Sequence, residues 1–187
     1  MHHPNQTLQK RWNLSLADII ILDTDIASAF AKVQKIVILK ELFSRYELVI
    51  CPAIYEELVV SQEYGYSFPG QIFENITILS PTNDEISDYH NLLNTKKTLG
   101  KGELEALCIC KRRHGIFSSM DTAALKFART CDVQTLSIHA ILRSFWVSGY
   151  MTHDEVKELI DEIENIENTT ISDTDLILSP DRTTEPE

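Results

Sequence analysis

The stretch that decides the fold is Ile20-Ile21-Leu22-Asp23-Thr24-Asp25, residues 20–25, in which an aliphatic run ends abruptly in acidic residues. The run starts at Ala17 and has the length of one buried strand, and apolar residues recur at helical spacing after Asp25. This pattern predicts a strand, a tight turn and a helix. Asp23 would then lie where the strand ends and the helix begins.

Similar units follow along the chain. Further aliphatic runs predict strands at residues 48–51, 76–79, 116–118 and 133–136. Helical spacing and capping residues predict helices between them, at residues 36–46, 52–61, 83–93, 103–113, 121–130 and 138–147. Residues 63–70 contain two glycines and a proline and are predicted to form a loop. Alternating strands and helices favour an α/β fold of three layers, α/β/α, around a central and mainly parallel sheet.

The composition favours one globular core with a tail, because 187 residues with 43% hydrophobic and 24% charged residues are ordinary for such a protein. We divide the chain into an N-terminal tail, a main domain, an amphipathic helix and an acidic, mobile tail, at residues 1–16, 17–150, 151–167 and 168–187. Within the last segment, Leu176-Ile177-Leu178 is the patch that is apolar enough to be ordered.

The formal net charge of −11 is concentrated near the C-terminus. Residues 154–187 hold 12 of the 28 acidic residues and 2 of the 17 basic residues, which leaves a net charge of −1 for residues 1–153. The main domain is therefore compatible with a nucleic acid partner. Candidates for steering a phosphate-bearing substrate are Lys96, Lys97 and Lys101, and also the run 111–113, although a charge run is more often a solvated helix face.

No apolar run is long enough to cross a membrane, and the polar N-terminus has no signal-peptide core. A cytoplasmic protein without a membrane partner is therefore expected. The four cysteines, at positions 51, 108, 110 and 131, show neither CxxC nor zinc-ligand spacing. We interpret them as reduced thiols of the core.

Acidic residues recur where the predicted strands end and where helices begin. Asp23 and Asp121 follow strands, and the carboxyl ends of parallel strands meet at one edge of a sheet. Glu57 lies on the helix after the second strand, and Glu103 lies in a first helical turn after two glycines. Carboxylates about 5 Å apart repel by roughly 3 kcal/mol at an effective dielectric constant near 20, so a cluster of four needs a cation. Oxygen-only ligands select Mg²⁺ or Mn²⁺, which takes its remaining ligands from water and substrate phosphates.

Each of these acids also has a structural explanation, as a helix cap or as a solvated helix residue. Three of them have an acidic neighbour that could take their place in a site, and the open choices are Asp23 or Asp25, Glu56 or Glu57, and Glu103 or Glu105. The joint placement of acids at equivalent ends of successive strand–helix units favours a shared metal site, because composition alone does not require it.

Four segments carry a resemblance to one protein family. In chain order they are Ile20-Ile21-Leu22-Asp23-Thr24-Asp25, Cys51-Pro52-Ala53-Ile54-Tyr55-Glu56-Glu57-Leu58, Leu99-Gly100-Lys101-Gly102-Glu103-Leu104-Glu105-Ala106-Leu107 and Ser118-Ser119-Met120-Asp121. Over about residues 18–150 the chain resembles the PIN domain, the nuclease fold of VapC-type toxins and related RNA-processing enzymes. Each segment alone is weak evidence for the family. The occurrence of all four in the same order as in the family makes the resemblance fairly specific.

The resemblance implies a metal-dependent endoribonuclease, a hydrolase of RNA phosphodiester bonds that uses Mg²⁺ or Mn²⁺. Its implied catalytic residues are Asp23, Glu57, Glu103 and Asp121, and its implied metal ligands include Asp23, Glu103 and Asp121. Additional candidates for the site are Asp25, Glu105 and the orienting hydroxyl of Ser119. The resemblance further implies an RNA substrate, a homodimer and, if the chain is a toxin, an antitoxin protein as its partner.

Two other functions stay open. Asp23 and Asp25 after a strand also resemble the nucleophile and acid of a HAD-type phosphatase, although Ala27 occupies a position where Thr or Val is usual there. The third hypothesis is a non-catalytic PIN-like interaction module, whose partner would bind the apolar stripe within 156–166 and the acidic tail.

Overall fold

A central sheet of parallel strands organises the protein, for which a computed structural model describes residues 19–96 and 98–179. The strands of the described chain are β1 (Ile19–Leu22), β2 (Glu47–Ile50), β3 (Thr77–Ile78), β4 (Ile116–Ser119) and β5 (Gln134–Ser137). Their order across the sheet is β3-β2-β1-β4-β5, and each neighbouring pair is parallel. With helices on both faces, this arrangement confirms the predicted three-layer α/β fold.

The first strand lies at the centre of the sheet because it is apolar on both faces. Ile20, Ile21 and Leu22 are each at most 1% exposed. Ile20 is opposite Leu48 of β2 on one side and Ile116 of β4 on the other. The neighbouring strands β1 and β4 therefore end side by side, which brings the residues that follow them to one edge.

Helices connect the strands and cover the sheet. In the described part of the chain they are α1 (Thr24–Lys32), α2 (Ile36–Leu42), α3 (Pro52–Glu63), α4 (Phe68–Asn75), α5 (Asn83–Thr95), α6 (Lys101–Arg113), α7 (Thr122–Thr130), α8 (Ile138–Val147), α9 (His153–Glu167) and α10 (Thr174–Leu178). Among the described helices, none is both long and apolar enough to span a bilayer. The four cysteines are unpaired, and three of them are buried, as expected for core thiols.

Helix α4 differs from the sequence prediction, which assigned residues 63–70 to a loop. The helix begins at Phe68, and Pro69 occupies its first turn, where the missing N–H costs no hydrogen bond. Pro69 and Ile72 are buried, so packing on the core stabilises a segment whose composition indicates a turn. Only the part up to Ser67 is a connection, with Gly65 at a φ of 93°.

The basic run 111–113 has a structural role at the end of α6. Arg113 forms a bidentate salt bridge with Glu85, in which both N···O distances are 2.7 Å, and Glu85 is only 2% exposed. Arg112 contacts Asp88 at 2.6 Å. These pairs join α6 to α5, so the two arginines serve packing between helices and are not open phosphate contacts.

Part of the segment expected to be a mobile acidic tail packs against the domain. Ile171 and Ile177 are 4% and 2% exposed. Arg143 of α8 donates to the carbonyl oxygens of Leu176 and Ile177, and Trp146 donates to Ile177 as well. The two buried isoleucines and the hydrogen bonds from Arg143 and Trp146 thus hold the chain against the domain as far as residue 179. The predicted N-terminal tail and residues 180–187 lie outside the described residues.

Candidate active site

Asp23 lies at the junction of β1 and β4 and is almost fully buried. Its backbone N–H donates to the carbonyl oxygen of Ser118 at 2.9 Å, which continues the pairing of the two strands by one residue. Its carboxylate accepts from the Thr24 N–H at 2.8 Å and from the Ser119 hydroxyl at 2.9 Å. Asp23 is 5% exposed. Asp23 is therefore the N-cap of α1. It is also a buried acid at the edge of the sheet where the sequence predicts a site.

Asp121 is joined to Asp23 through Ser119. The Ser119 hydroxyl donates to Asp23 and accepts from the Asp121 N–H at 3.0 Å. The Oδ1 atom of Asp121 accepts from the N–H groups of Ala123 and Ala124 at 2.6 and 3.3 Å, which caps α7. Within the described chain, the Oδ2 atom of Asp121 has no hydrogen-bond partner, so one oxygen of this exposed acid is left for a ligand.

Glu57 reaches the same edge from α3. It accepts from the Thr24 hydroxyl at 2.5 Å and from the Gly102 N–H at 3.2 Å. A Cβ atom on Gly102 would lie 2.7 Å from Ile54 and 3.2 Å from the Glu57 carboxylate. Glycine is required here because α6 approaches α3 so closely. Glu56 is exposed and, among the described residues, has no hydrogen bond from its side chain.

Glu103 and Glu105 have different surroundings although they share α6. Glu103 is partly buried and accepts from the Gly100 N–H at 2.8 Å at the start of its own helix. Glu105 is 7% exposed and accepts from the Ala53 N–H at 2.7 Å, in the first turn of α3. Glu103 therefore faces the acid cluster, whereas Glu105 caps a neighbouring helix.

This difference predicts that Glu105 matters for stability. Glu105→Ala should lower the free energy of unfolding by about 1–3 kcal/mol, because the partly buried Ala53 N–H loses its acceptor. Glu105→Gln retains an acceptor oxygen and should cost less. Urea denaturation of both variants measures the effect, with Glu56→Ala as an exposed control on α3. A loss for Glu105→Ala no larger than that for Glu56→Ala would contradict this role.

The carboxylates influence one another's ionisation. Burial and then the charge of Glu103 raise the pKa of Asp23 to about 7, although hydrogen bonds from Ser119 and Thr24 oppose the shift. The pKa of Glu103 is raised by its own burial and by the charges of Asp121, Asp25 and Glu57, against the hydrogen bond from Gly100. The predicted acids thus form one electrostatic cluster, which we call the carboxylate cluster: Asp23, Asp25, Glu57, Glu103 and Asp121.

Protein cations do not neutralise this cluster within the described residues. The ion pairs found there join Lys32 to Glu167, Arg112 to Asp84 and Asp88, and Arg113 to Glu85. A buried acid whose pKa is raised by burial and like charge becomes a stable carboxylate when a cation binds next to it.

The donor chemistry of the cluster fits a hard divalent cation. In residues 19–96 and 98–179, no three His, Cys, Asp or Glu side chains are arranged closely enough to hold an ion by themselves. Oxygens of Asp121 and Glu103 nevertheless lack hydrogen-bond partners in the described chain, and each Asp23 oxygen accepts only one bond. Ions such as Mg²⁺ keep several waters and need only one or two carboxylates, so incomplete protein ligation is ordinary for them.

A cleft of about 340 Å³ opens beside the cluster, and we call it the carboxylate cleft. It is lined by Asp25, Met120 and Asp121 and, from the end of α9, by Glu167, Asn168 and Thr169. The sequence did not indicate that α9 borders the site. Thr24, which holds Glu57, was also missed, although it lies between the two acids of the first motif.

The structure describes two of the three predicted steering lysines. Lys101 is exposed at the first residue of α6, two positions before Glu103. The Lys96 ammonium lies 5.0 Å from the ring centre of Phe127, which orients it by a cation–π contact. Lys97 lies outside the described residues. Their contact with a substrate stays a prediction.

Comparisons with known proteins agree with the fold. The profile of a family described as a PIN domain matches residues 19–176. No curated protein matches significantly. Among solved structures, a chain from the structure of VapBC-1 of nontypeable Haemophilus influenzae is similar, with 19% sequence identity and a TM-score of 0.50. The match covers 64% of this chain and 97% of that chain, and at such identity it concerns the fold alone.

Proposed function

Because the chain belongs to the PIN-domain family, we propose that it is a metal-dependent endoribonuclease that hydrolyses RNA phosphodiester bonds at the carboxylate cluster. The observation that supports this proposal is the gathering of acids from four parts of the chain at one sheet edge, without a protein cation to neutralise them in the described residues. Repulsion among these carboxylates destabilises the folded protein when no cation is bound. A divalent ion that binds between them, together with a substrate phosphate, would offset this repulsion.

The residues that would hold Mg²⁺ or Mn²⁺ are Asp23, Glu103 and Asp121, one or two of them directly and the rest through waters that the ion keeps. When bound, the ion would stabilise the charge that develops on the phosphoryl oxygens and activate an attacking water. Ser119 fixes the relative position of the two aspartates through its two hydrogen bonds. Thr24 and the Gly102 N–H hold the Glu57 carboxylate at the edge of the cluster, where it can orient a water.

RNA is the proposed substrate, and Lys96, Lys97 and Lys101 are proposed to guide its phosphates toward the cluster. The similarity to a chain of VapBC-1 supports a further proposal, namely that the protein is a toxin with an antitoxin partner. We also propose a homodimer, from the family resemblance alone, and a cytoplasmic location. The phosphatase hypothesis is less well supported, because both oxygens of the buried Asp23 carboxylate already accept hydrogen bonds, from Thr24 and Ser119, and the matching family is a PIN domain.

The function is tested by incubating the full chain with a pool of cellular RNA and Mg²⁺ or Mn²⁺. We expect discrete cleavage products, and we expect EDTA to abolish them. Loss of cleavage with EDTA and its recovery with added Mn²⁺ would support the ribonuclease. If no RNA is cleaved with either ion, and calorimetry shows no ion binding, the non-catalytic interaction module becomes the better explanation.

A pair of neighbouring glutamates gives a matched comparison. Glu57→Gln should lower kcat/KM for RNA cleavage by about 10- to 100-fold, because the carboxylate held by Thr24 and Gly102 loses its charge. Glu56→Gln removes the same charge from the adjacent position and should change kcat/KM by less than about twofold. Equal effects of the two variants would mean that Glu57 has no special role in the site.

A further inference from the structure

A second cleft opens beside the carboxylates and differs from the first in chemistry. It has a volume of about 580 Å³, and its lining includes Thr24, Ser28 and Lys32 of α1, Ser61 of α3, and Tyr66 and Phe68 near the start of α4. We call it the aromatic cleft. Asp25 and Glu167 border both this cleft and the carboxylate cleft, so the two clefts are neighbours.

We propose that the aromatic cleft binds a nucleobase of single-stranded RNA adjacent to the bond that is cleaved. This inference rests on the proposed ribonuclease function and adds to it a subsite for the substrate. The volume is within the range of small-molecule sites, and the position next to Thr24 and Asp25 joins it directly to the carboxylate cluster.

Tyr66 offers the surface on which a base would stack. Its side chain is exposed to 60%. The connection that carries it is held by the Tyr66 N–H, which donates to the Ser61 carbonyl oxygen at 3.3 Å, and by Gly65 in a left-handed conformation. The Tyr66 ring centre lies 5.9 Å from that of Phe68 at an angle of 53°. An exposed aromatic ring at the edge of a cleft is the usual platform for an unpaired base.

The charges in the aromatic cleft favour a base over a phosphate. Lys32 is engaged by Glu167 at 2.7 Å, and its ammonium lies 4.8 Å from the ring centre of Phe68. Asp25 adds a further negative charge to the lining. The lining is therefore net negative, which repels a phosphate but accepts a neutral base. The phosphate would instead lie with the divalent ion at the carboxylate cluster.

Ser28 supplies a polar group that the described protein does not use. The residue is only 6% exposed and lines the aromatic cleft. In the described residues, its hydroxyl has no hydrogen-bond partner. It lies one helical turn after Thr24, about 5–6 Å along α1, so it is on the same face as the residue that holds Glu57. A hydroxyl that both donates and accepts is suited to the edge of a base.

Binding of short RNA by the full chain tests the proposal. The probes are fluorescein-labelled oligo(A), oligo(C) and oligo(U) of about eight nucleotides, with Asp121→Asn as the common background so that RNA is not consumed. Adding Tyr66→Ala should weaken binding by about tenfold or more, and adding Tyr66→Phe should change it by less than about twofold. Tyr64→Ala is the matched control, because Tyr64 is 81% exposed and is not part of the cleft lining.

Two further readouts locate the base. Photocrosslinking with iodouridine-containing RNA should attach to Tyr66 or Phe68, as mapped by mass spectrometry. Ser28→Ala should change the ratio of affinities among the three oligonucleotides by about threefold, because a direct contact to a base edge discriminates between bases. A crosslink confined to other parts of the chain would overturn the proposal.

The subsite and the ribonuclease can fail separately. Equal RNA affinity for the Tyr66→Ala and Tyr64→Ala chains, while the wild-type chain cleaves RNA in an EDTA-sensitive manner, overturns the subsite and leaves the enzyme assignment in place. If the wild-type chain neither binds nor cleaves RNA, both are overturned. If Tyr66→Ala weakens binding to a purified protein partner and leaves RNA affinity unchanged, the cleft serves protein recognition and the nucleobase proposal is wrong.

Discussion

Asp121→Asn should lower kcat/KM for RNA cleavage at least about 100-fold, with little change in folding. The substitution removes the negative charge from the acid that is most open to a ligand, since its Oδ2 atom has no partner in the described chain. Loss of one preorganised charge or dipole in an active site typically costs a factor of about 100 to 1,000. The asparagine keeps the oxygen that accepts from Ala123 and Ala124, so the cap of α7 is retained.

Asp132→Asn provides the matched control for this prediction. Asp132 is exposed and has a φ of 60°, a conformation that asparagine tolerates well. Initial rates with a defined RNA at saturating Mg²⁺, together with thermal unfolding of each variant, separate chemistry from folding. If Asp121→Asn retains more than about a tenth of the wild-type kcat/KM, Asp121 is not part of the catalytic site.

Asp23→Asn should stabilise the metal-free protein at alkaline pH. The raised pKa of Asp23, about 7 against 3.8, means that the folded protein holds a proton which the unfolded chain has released. The free energy of unfolding of the wild-type chain therefore falls as the pH rises from about 4 to 7, and the full cost of the buried charge applies above that. The Asp23→Asn variant has no charge to bury at this position. Its amide oxygen can still accept the hydrogen bond from the Thr24 N–H.

The expected advantage of Asp23→Asn is roughly 4 kcal/mol larger at pH 8 than at pH 4, from the conversion of the pKa shift into free energy. Urea denaturation in EDTA at both pH values measures it. Carboxylates with lowered pKa, such as Glu85, are present in both proteins and cancel in the difference. Adding Mg²⁺ at pH 8 should stabilise the wild-type chain more than the variant. A difference that does not change with pH would show that Asp23 carries no buried charge.

The central part of the fold was predictable because it depends on local patterns. The aliphatic run before Asp23 is both strand-like and fully apolar, so it had to be a central strand of a parallel sheet. Once β1 and β4 are neighbours, the acids that follow them must meet at one edge. The meeting of Asp23 and Asp121 therefore follows from spacing and chain direction once the two strands are adjacent.

The choice between Glu103 and Glu105 was not predictable from spacing. The two residues are two positions apart on α6, and either could face the cluster. Only the packing of α6 on α3 assigns Glu105 to the Ala53 N–H, while Glu103 bonds to Gly100. Gly102 carried a usable signal, because glycine inside a helix indicates a close neighbour, and that neighbour is the helix of Glu57.

Two further features depend on contacts that the sequence does not display. Helix α4 was predicted as a loop because Pro69 and Gly70 lie at its start, where proline is in fact compatible with a helix. The end of α9 borders the site through Glu167. The apolar stripe of α9 indicates only that this helix packs against the core, and it does not indicate a site. In both cases tertiary packing outweighs local composition.

The most direct test of the account is a crystal structure of the protein soaked in Mn²⁺, with anomalous diffraction data to locate the ion. We predict one strong peak bounded by the carboxylates of Asp23, Glu103 and Asp121, and loss of that peak in Asp121→Asn. The account would be contradicted if saturating Mn²⁺ gave no peak among these carboxylates. It would also be contradicted if a lysine or arginine of the chain occupied the position predicted for the ion.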